Sequence, residues 1–283
     1  MSFFHQRWSR LVFLFMVSRP LLWFIVFIPF FLGFFENPVN FNLVMLLQIL
    51  VLTFPINFFA YAINDIYDYE SDKLNERKGS VYGTIIEPKD YAFVKKIAFL
   101  MAFLSLFSSV LTFKIENILL MAALLLLVYF YSAKPVRLKE RPPLDSLSNG
   151  LMFLLVYLFG FSLSGGNIFS VHYRVFLLAL CVSGIHAVTT IIDFDSDKAA
   201  NHKTFSTVFG KRAAAIFAFL SFTLTNLLSR SPNLFVNLFM YLMNVVLFLI
   251  ILKPEKRFTF LAIKYTSIVL ILAWIIKLVT LRV

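Results

Sequence analysis

The chain has 283 residues, 60% of them hydrophobic and only 14% charged, with 36 phenylalanines and one cysteine, Cys181. Soluble domains carry about 45–50% apolar and about 25% charged residues, so this composition excludes a soluble globule, a disordered chain and an internally disulfide-bonded scaffold. The net charge of +11 reads as the basic cytoplasmic loops of a polytopic membrane protein, with no nucleic-acid partner implied.

A spanning helix needs about 20 mainly apolar residues. Runs of that kind, separated by charges, Pro, Gly and Asn, predict nine spans near 11–35, 41–63, 91–113, 117–133, 147–168, 174–192, 213–229, 233–252 and 258–280. The opening MSFFHQRWSR leads into an apolar run too long for a signal peptide and without a small-residue cleavage site, so the first span is expected to be retained. The Phe/Leu runs show no period-2 alternation, which argues against a β-barrel. The expected fold class is an all-α polytopic membrane protein, nine transmembrane helices around a central cavity, forming one membrane-embedded domain over residues 1–283.

Orientation follows from the bases. With the N-terminus inside, nineteen of the 26 Lys and Arg fall in cytoplasmic segments and five on the opposite side. That asymmetry predicts a cytoplasmic N-terminus and an outer C-terminus, with the long polar loops at 64–90, 134–146 and 193–212 facing the cytoplasm. Ten of the 15 acids lie in the first and third of these loops.

The first acidic cluster, Asn64-Asp65-Ile-Tyr-Asp68-Tyr-Glu70-Ser-Asp72, follows span two. On a helix continued past the membrane surface, Asp65, Asp68 and Asp72 share one face. Carboxylates crowded in that way repel unless a cation gathers them, and hard oxygen donors at this density suit Mg2+. The second cluster, Asp193-Phe-Asp195-Ser-Asp197, ends span six. Asp193 and Asp197 are four apart on one face, while Asp195 points elsewhere. The chemistry such patches serve is that of a diphosphate. Mg2+ bridges carboxylate to phosphate, and bases such as Lys73, Arg77, Lys78, Lys198 and Lys203 neutralise the remainder. Those bases are also ordinary residues of a positive inner surface.

The motif Asn64-Asp65-x-x-Asp68-x-x-x-Asp72 resembles the first Asp-rich motif of the UbiA superfamily of intramembrane prenyltransferases, and Asp193-x-x-x-Asp197 with Lys203-Thr204 and Phe209-Gly210-Lys211 resembles the second. Ser18-Arg19-Pro20, Pro55-Ile-Asn57, Tyr61, Asn75-Glu-Arg-Lys78-Gly79, Tyr131-Ser132-Ala-Lys134-Pro135 with Arg137-Leu-Lys139, Leu144-Asp145-Ser146-Leu-Ser148-Asn149-Gly150 and His186 look like the lycopene elongase branch. Asn201 and His202 depart from the usual Gly and aliphatic residue, and Ala62 replaces a common Gly. The resemblance implies transfer of a prenyl group from an allylic prenyl diphosphate to a lipophilic acceptor with Mg2+, at the cytoplasmic face. The acceptor is a carotenoid such as lycopene, or a quinone-ring, chlorophyllide or ether-lipid precursor. A cation-binding transporter is the reading from a different class, but that would place acids at mid-membrane depth.

The expected metal ligands are Asp65, Asp68, Asp72, Asp193 and Asp197, with Asp68 and Asp193 central to catalysis. Arg19, inside span one, is expected at an internal cavity in contact with diphosphate, or snorkelling to the headgroups. Asn57 and Asn64 lie two helical turns apart on one face and are expected to bind diphosphate or metal-bound water; Asn57 equally suits a helix-bridging role. Lys134 reaches the diphosphate or belongs to the basic surface. Asp145 suits an N-cap for span five as well as a site role. Tyr131 and Asn149 are expected on the acceptor side. His186, seven residues before Asp193, takes the final proton or packs as a hydrogen-bonded histidine.

Overall fold

In the computed structural model of the protein, residues 3–37, 41–73, 84–229 and 234–280 are described. Among them every regular element is helical. The first span is two helices, α1 (Phe3–Val17) and α2 (Phe24–Phe34). Pro20 lacks an N–H and pushes the residue before it out of the right-handed helical region. Arg19 leaves that region for a left-handed backbone at φ 49, ψ 67, and the stretches Arg10–Leu22 and Phe24–Phe34 meet at 55°. The Trp23 indole donates to the Ser18 carbonyl at 3.0 Å across the break.

Span two is α3 (Leu43–Val51) followed by α4 (Phe54–Tyr67), and a four-residue helix, α5 (Tyr69–Asp72), comes after it. Asn42 caps α3 by accepting the Met45 N–H at 2.9 Å. Then come α6 (Tyr91–Val110), α7 (Ile115–Ser132) and α8 (Leu144–Leu163). The chain ends with α9 (Arg174–Ala199), the short α10 (Phe205–Phe209), α11 (Lys211–Leu228), α12 (Leu234–Leu252) and α13 (Lys256–Thr280). Six helical stretches among the described residues are long and apolar enough to cross a membrane, seven if the bent first pair is one span. The protein is an integral membrane protein.

The chain divides into two compact units. One comprises Met1–Leu138 with Leu151–His172, the other Lys139–Gly150 with Tyr173–Val283. In the first, Phe30, Phe34, Phe58, Phe59, Ile63 and Met121 are buried together. Helices in lipid gain little from hydrophobic burial and pack where small residues let backbones approach. Gly33 and Gly160 provide such a crossing: a Cβ on Gly33 would lie 2.1 Å from the Tyr157 carbonyl oxygen, and one on Gly160 2.2 Å from that of Phe30. A buried polar clamp joins α3 to α6, where Gln48 donates to the Ser108 carbonyl at 2.8 Å and accepts its hydroxyl at 3.3 Å.

The second unit is built on α9 against α11. Val188, Ile191, Ala214, Ala215 and Ala218 are fully buried there, joined by Leu247 and Ile250 of α12. Alanines keep the two backbones close, and a Cβ on Gly184 would lie 2.8 Å from the Ala218 Cα.

Candidate functional site

The first acidic cluster does not lie on one unbroken helix, which corrects the sequence expectation. α4 stops at Tyr67, and Asp68 is its C-cap at φ −107, ψ 6. The Asp68 N–H still bonds the Asn64 carbonyl at 3.0 Å, and α5 restarts at once with the Asp72 N–H on the Asp68 carbonyl at 2.8 Å.

Two arginines gather the first two acids. Asp65 is 1% exposed and is paired with the Arg19 guanidinium, which also stands 4.4 Å from the centre of the Tyr61 ring. The Arg19 side chain is thus directed at Asp65 and the Tyr61 ring. The Arg19 Nε–H is buried and meets no acceptor. Asp68 receives Arg137 Nη2 on Oδ1 at 3.2 Å and Asn64 Nδ2 on Oδ2 at 2.9 Å.

Arg137 was given no role from the sequence. Its Nη1 also donates to the carbonyls of Tyr67 at 3.2 Å and Ser132 at 3.3 Å, the last residues of α4 and α7. One buried guanidinium thus closes two helix C-termini and binds an acid, which suits the negative ends of both dipoles. Like Arg19, it has a left-handed backbone, φ 43. It stands in a stretch, Arg137-Leu-Lys139, that looks like the lycopene elongase branch, but nothing there names its partners, which lie up to 70 residues away.

Asp72 is buried in α5. Lys73 is exposed, 3.9 Å above the Tyr69 ring and 3.9 Å from Glu70. Tyr69, foremost, and Glu70 raise its pKa, so it is a cation at neutral pH. Asn57 is buried and spends its amide hydrogens on the carbonyls of Leu52 at 2.9 Å and Thr53 at 2.7 Å. It therefore ties down the junction of α3 and α4 and has only its oxygen for a ligand or a metal-bound water. Lys134 is exposed and Tyr131 half-buried in the last turn of α7. Lys78 and Arg77 lie outside the described residues.

The second cluster belongs to the other unit, and there the helix is continuous. α9 runs to Ala199, so Asp193 and Asp197 share a face one turn apart. Asp195 is 69% exposed and pairs with Lys211 at 3.8 Å. Lys198 and Lys203 are exposed. Asp197 accepts the Thr204 hydroxyl at 3.1 Å, and Thr204 forms a capping box with Thr207 at the start of α10.

Asp145 is not the N-cap of α8. It sits inside the first turn, fully buried, accepting the Ser146 N–H at 2.7 Å on Oδ1 and the Phe205 N–H at 2.6 Å on Oδ2. Its carboxylate therefore also anchors the start of α10. Asn149 donates to the Asp145 carbonyl at 2.9 Å. Ser146 Oγ and His186 Nδ1 share a hydrogen bond at 3.1 Å, which orients the half-buried imidazole.

No three acidic, His or Cys side chains among the described residues close into a preformed metal cage. The donors are nonetheless all carboxylates carrying hard oxygen, and Mg2+ is commonly held by one or two of these, with water and substrate phosphates completing its shell. The residues present fit that ion.

The UbiA prenyltransferase family model matches residues 21–261. The chain is 34% identical over 207 residues to the C(50) beta-cyclic carotenoids biosynthesis protein LbtBC of Dietzia sp. (strain CQ4), covering 72% of this chain and 48% of that protein. It is 30% identical over 207 residues to the lycopene elongase/hydratase of Corynebacterium glutamicum, covering 70% of this chain and 69% of the relative. The chain thus spans about half the length of the first relative and about two thirds of the second. Its fold is similar to that of a UbiA homologue from Archaeoglobus fulgidus solved with DMAPP and Mg2+, with a TM-score of 0.71, 20% identity, and coverage of 91% of this chain and 98% of that one. With the family model running from the bend in the first span into the last helix, and both Asp motifs inside it, the chain belongs to the UbiA prenyltransferase family.

Proposed function

We propose that the protein transfers the prenyl group of an allylic prenyl diphosphate to a lipophilic acceptor, with Mg2+ as cofactor, and that the acceptor is a carotenoid such as lycopene. The observation that carries this reading is the first Asp cluster at the end of an apolar span, with the half-buried Arg19 engaging Asp65 and the buried Arg137 engaging Asp68. Acids alone would repel a diphosphate, and bases alone would leave no ligand for a metal. Interleaved signs supply both.

In this reading Asp65, Asp68, Asp72, Asp193 and Asp197 hold the metal, which when bound supplies Lewis-acid stabilisation of the departing diphosphate. Arg19, through its spare Nε–H, and Arg137 take phosphate oxygens. Lys73, Lys78, Lys134, Lys198 and Lys203 add positive charge, and the Asn57 and Asn64 amides orient bound water and Asp68. The allylic C–O bond breaks with its electron pair going to the diphosphate. A carbon–carbon double bond of the acceptor then attacks the allylic cation, and a proton leaves the adjacent carbon. His186, held by Ser146, accepts that proton. Tyr131 and Asn149, among the aromatic side chains of the spans, hold the acceptor and keep water from the cation.

The same reading has nine spans, counting the bent first pair, the six apolar stretches, α11 and α13, with the N-terminus in the cytoplasm and the C-terminus outside. The excess of bases in the 64–90, 134–146 and 193–212 loops supports it, and in this reading the reaction takes place at the cytoplasmic leaflet. The carotenoid acceptor draws on the stretches that look like the lycopene elongase branch and on the two relatives with carotenoid-pathway names.

The test is expression in a host that makes lycopene and in one that makes a quinone-ring precursor, with mass spectrometry of the lipid extract. A gain of one prenyl unit on lycopene supports the reading. A gain only on the quinone precursor overturns the acceptor, and a gain in neither host overturns the reaction.

A further inference from the structure

We infer that Arg137 and Arg19 act as an electrostatic gate on the metal ligands, so that Mg2+ enters together with the diphosphate and not ahead of it. The inference deepens the proposed function and rests on it, because it takes Asp65 and Asp68 as ligands.

Both oxygens of Asp68 are engaged, Oδ1 by Arg137 and Oδ2 by Asn64. The Arg137 side chain is only 9% exposed and is pinned by the carbonyls that end α4 and α7. These bonds hold its charge beside Asp68. Arg19 is similarly held, between Asp65 and the Tyr61 ring. Both arginines have left-handed backbones, φ 49 and φ 43, which non-Gly residues keep only where their surroundings over-determine them. These are two fixed cations beside two ligands.

A divalent cation binding to Asp65 or Asp68 would therefore sit next to a guanidinium in a site of low dielectric, where like charges repel strongly. A diphosphate removes that obstacle. Its negative oxygens take the metal on one side and the guanidinium N–H groups on the other, and the unused Nε–H of Arg19 offers one such contact. Metal and diphosphate then raise each other's affinity by the same factor.

A purely structural role for Arg137, as a clamp on two helix ends, predicts the opposite sign. Loss of a clamp loosens Asp68 and weakens metal binding, whereas loss of a gate strengthens the binding of metal alone. The measurement is Mn2+ binding by electron paramagnetic resonance on the detergent-solubilised full chain. Arg137→Met should bind Mn2+ alone roughly tenfold more tightly than the wild type, and Arg137→Lys, which keeps the charge, should resemble the wild type. Inorganic diphosphate should raise the wild-type Mn2+ affinity by roughly tenfold more than it raises that of Arg137→Met.

Unchanged or weaker Mn2+ binding in Arg137→Met overturns the gate, as does a wild type that binds Mn2+ equally well with and without diphosphate. Where Arg137→Met does not stay monodisperse, Arg19→Met carries the same expectation and the same refutation. A wild type that holds no Mn2+ even with diphosphate is a different failure, that of the parent reading.

Discussion

The carboxylate of Asp145 accepts the backbone N–H of Phe205 at 2.6 Å, across 60 residues of sequence. Asp145 is fully buried, so this acceptor is the anchor for the first turn of α10, and the neighbouring Thr204 carries the hydrogen bond to Asp197. Replacing Asp145 by Ala leaves the Phe205 N–H buried and unsatisfied, at about 1–3 kcal/mol. A lower Tm in detergent is expected for Asp145→Ala, accompanied by reduced turnover as Asp197 loses its support. Asp145→Asn keeps one acceptor and should fall between. An unchanged Tm for Asp145→Ala would show that α10 does not depend on this contact.

Asp193 and Asp195 are two residues apart and should behave differently. Asp195 is largely exposed and pairs at 3.8 Å with Lys211, an arrangement worth about 1 kcal/mol or less. Asp195→Ala should therefore leave both Tm and product formation close to wild type. Asp193→Ala should remove turnover while the chain stays folded. The opposite ranking, read from prenylated product by mass spectrometry, would overturn the assignment of helical faces in α9.

What was legible in the sequence follows from how local the signal was. Apolar runs bounded by polar residues located the helices, and acids spaced by four on α9 fell on one face because nothing interrupts that helix. The first cluster failed this test at Asp68, where α4 stops. The stop is stabilised by Arg137 closing the carbonyls of Tyr67 and Ser132, partners that no window around Asp68 contains. Asp145 was misplaced for the same reason, since half of its hydrogen bonding goes to a residue 60 positions on. The Pro after Arg19 marks a local departure from the helix, but the left-handed backbone of Arg19 and the direction of its guanidinium go with Asp65 and Tyr61.

Gly33 and Gly160 allow α2 and α8 to touch through their backbones, with a Cβ at either position landing 2.1–2.2 Å from a carbonyl oxygen. Backbone atoms cannot rotate aside as side chains do. Gly33→Ala and Gly160→Ala should each force the helices apart and lower stability by about 1–3 kcal/mol. Thermal unfolding in detergent is the check, and the double variant should cost less than the sum of the singles because both relieve one crossing. Equal Tm values for the wild type and Gly33→Ala would refute the close contact.

Asp68 joins the fold to the chemistry, and its removal should separate the two. In Asp68→Ala the Arg137 guanidinium keeps the carbonyls of Tyr67 and Ser132, so it is not stranded, and the chain should still insert and purify. Turnover should fall by about a hundredfold or more, the scale of losing one electrostatic contact to a developing charge. Chelation of divalent cations should abolish wild-type turnover, with Mg2+ restoring it. In Asp68→Asn the amide oxygen still accepts from Arg137, so stability should recover toward wild type while turnover does not. Turnover that recovers together with stability in Asp68→Asn would mean that Asp68 serves only to hold Arg137 in place.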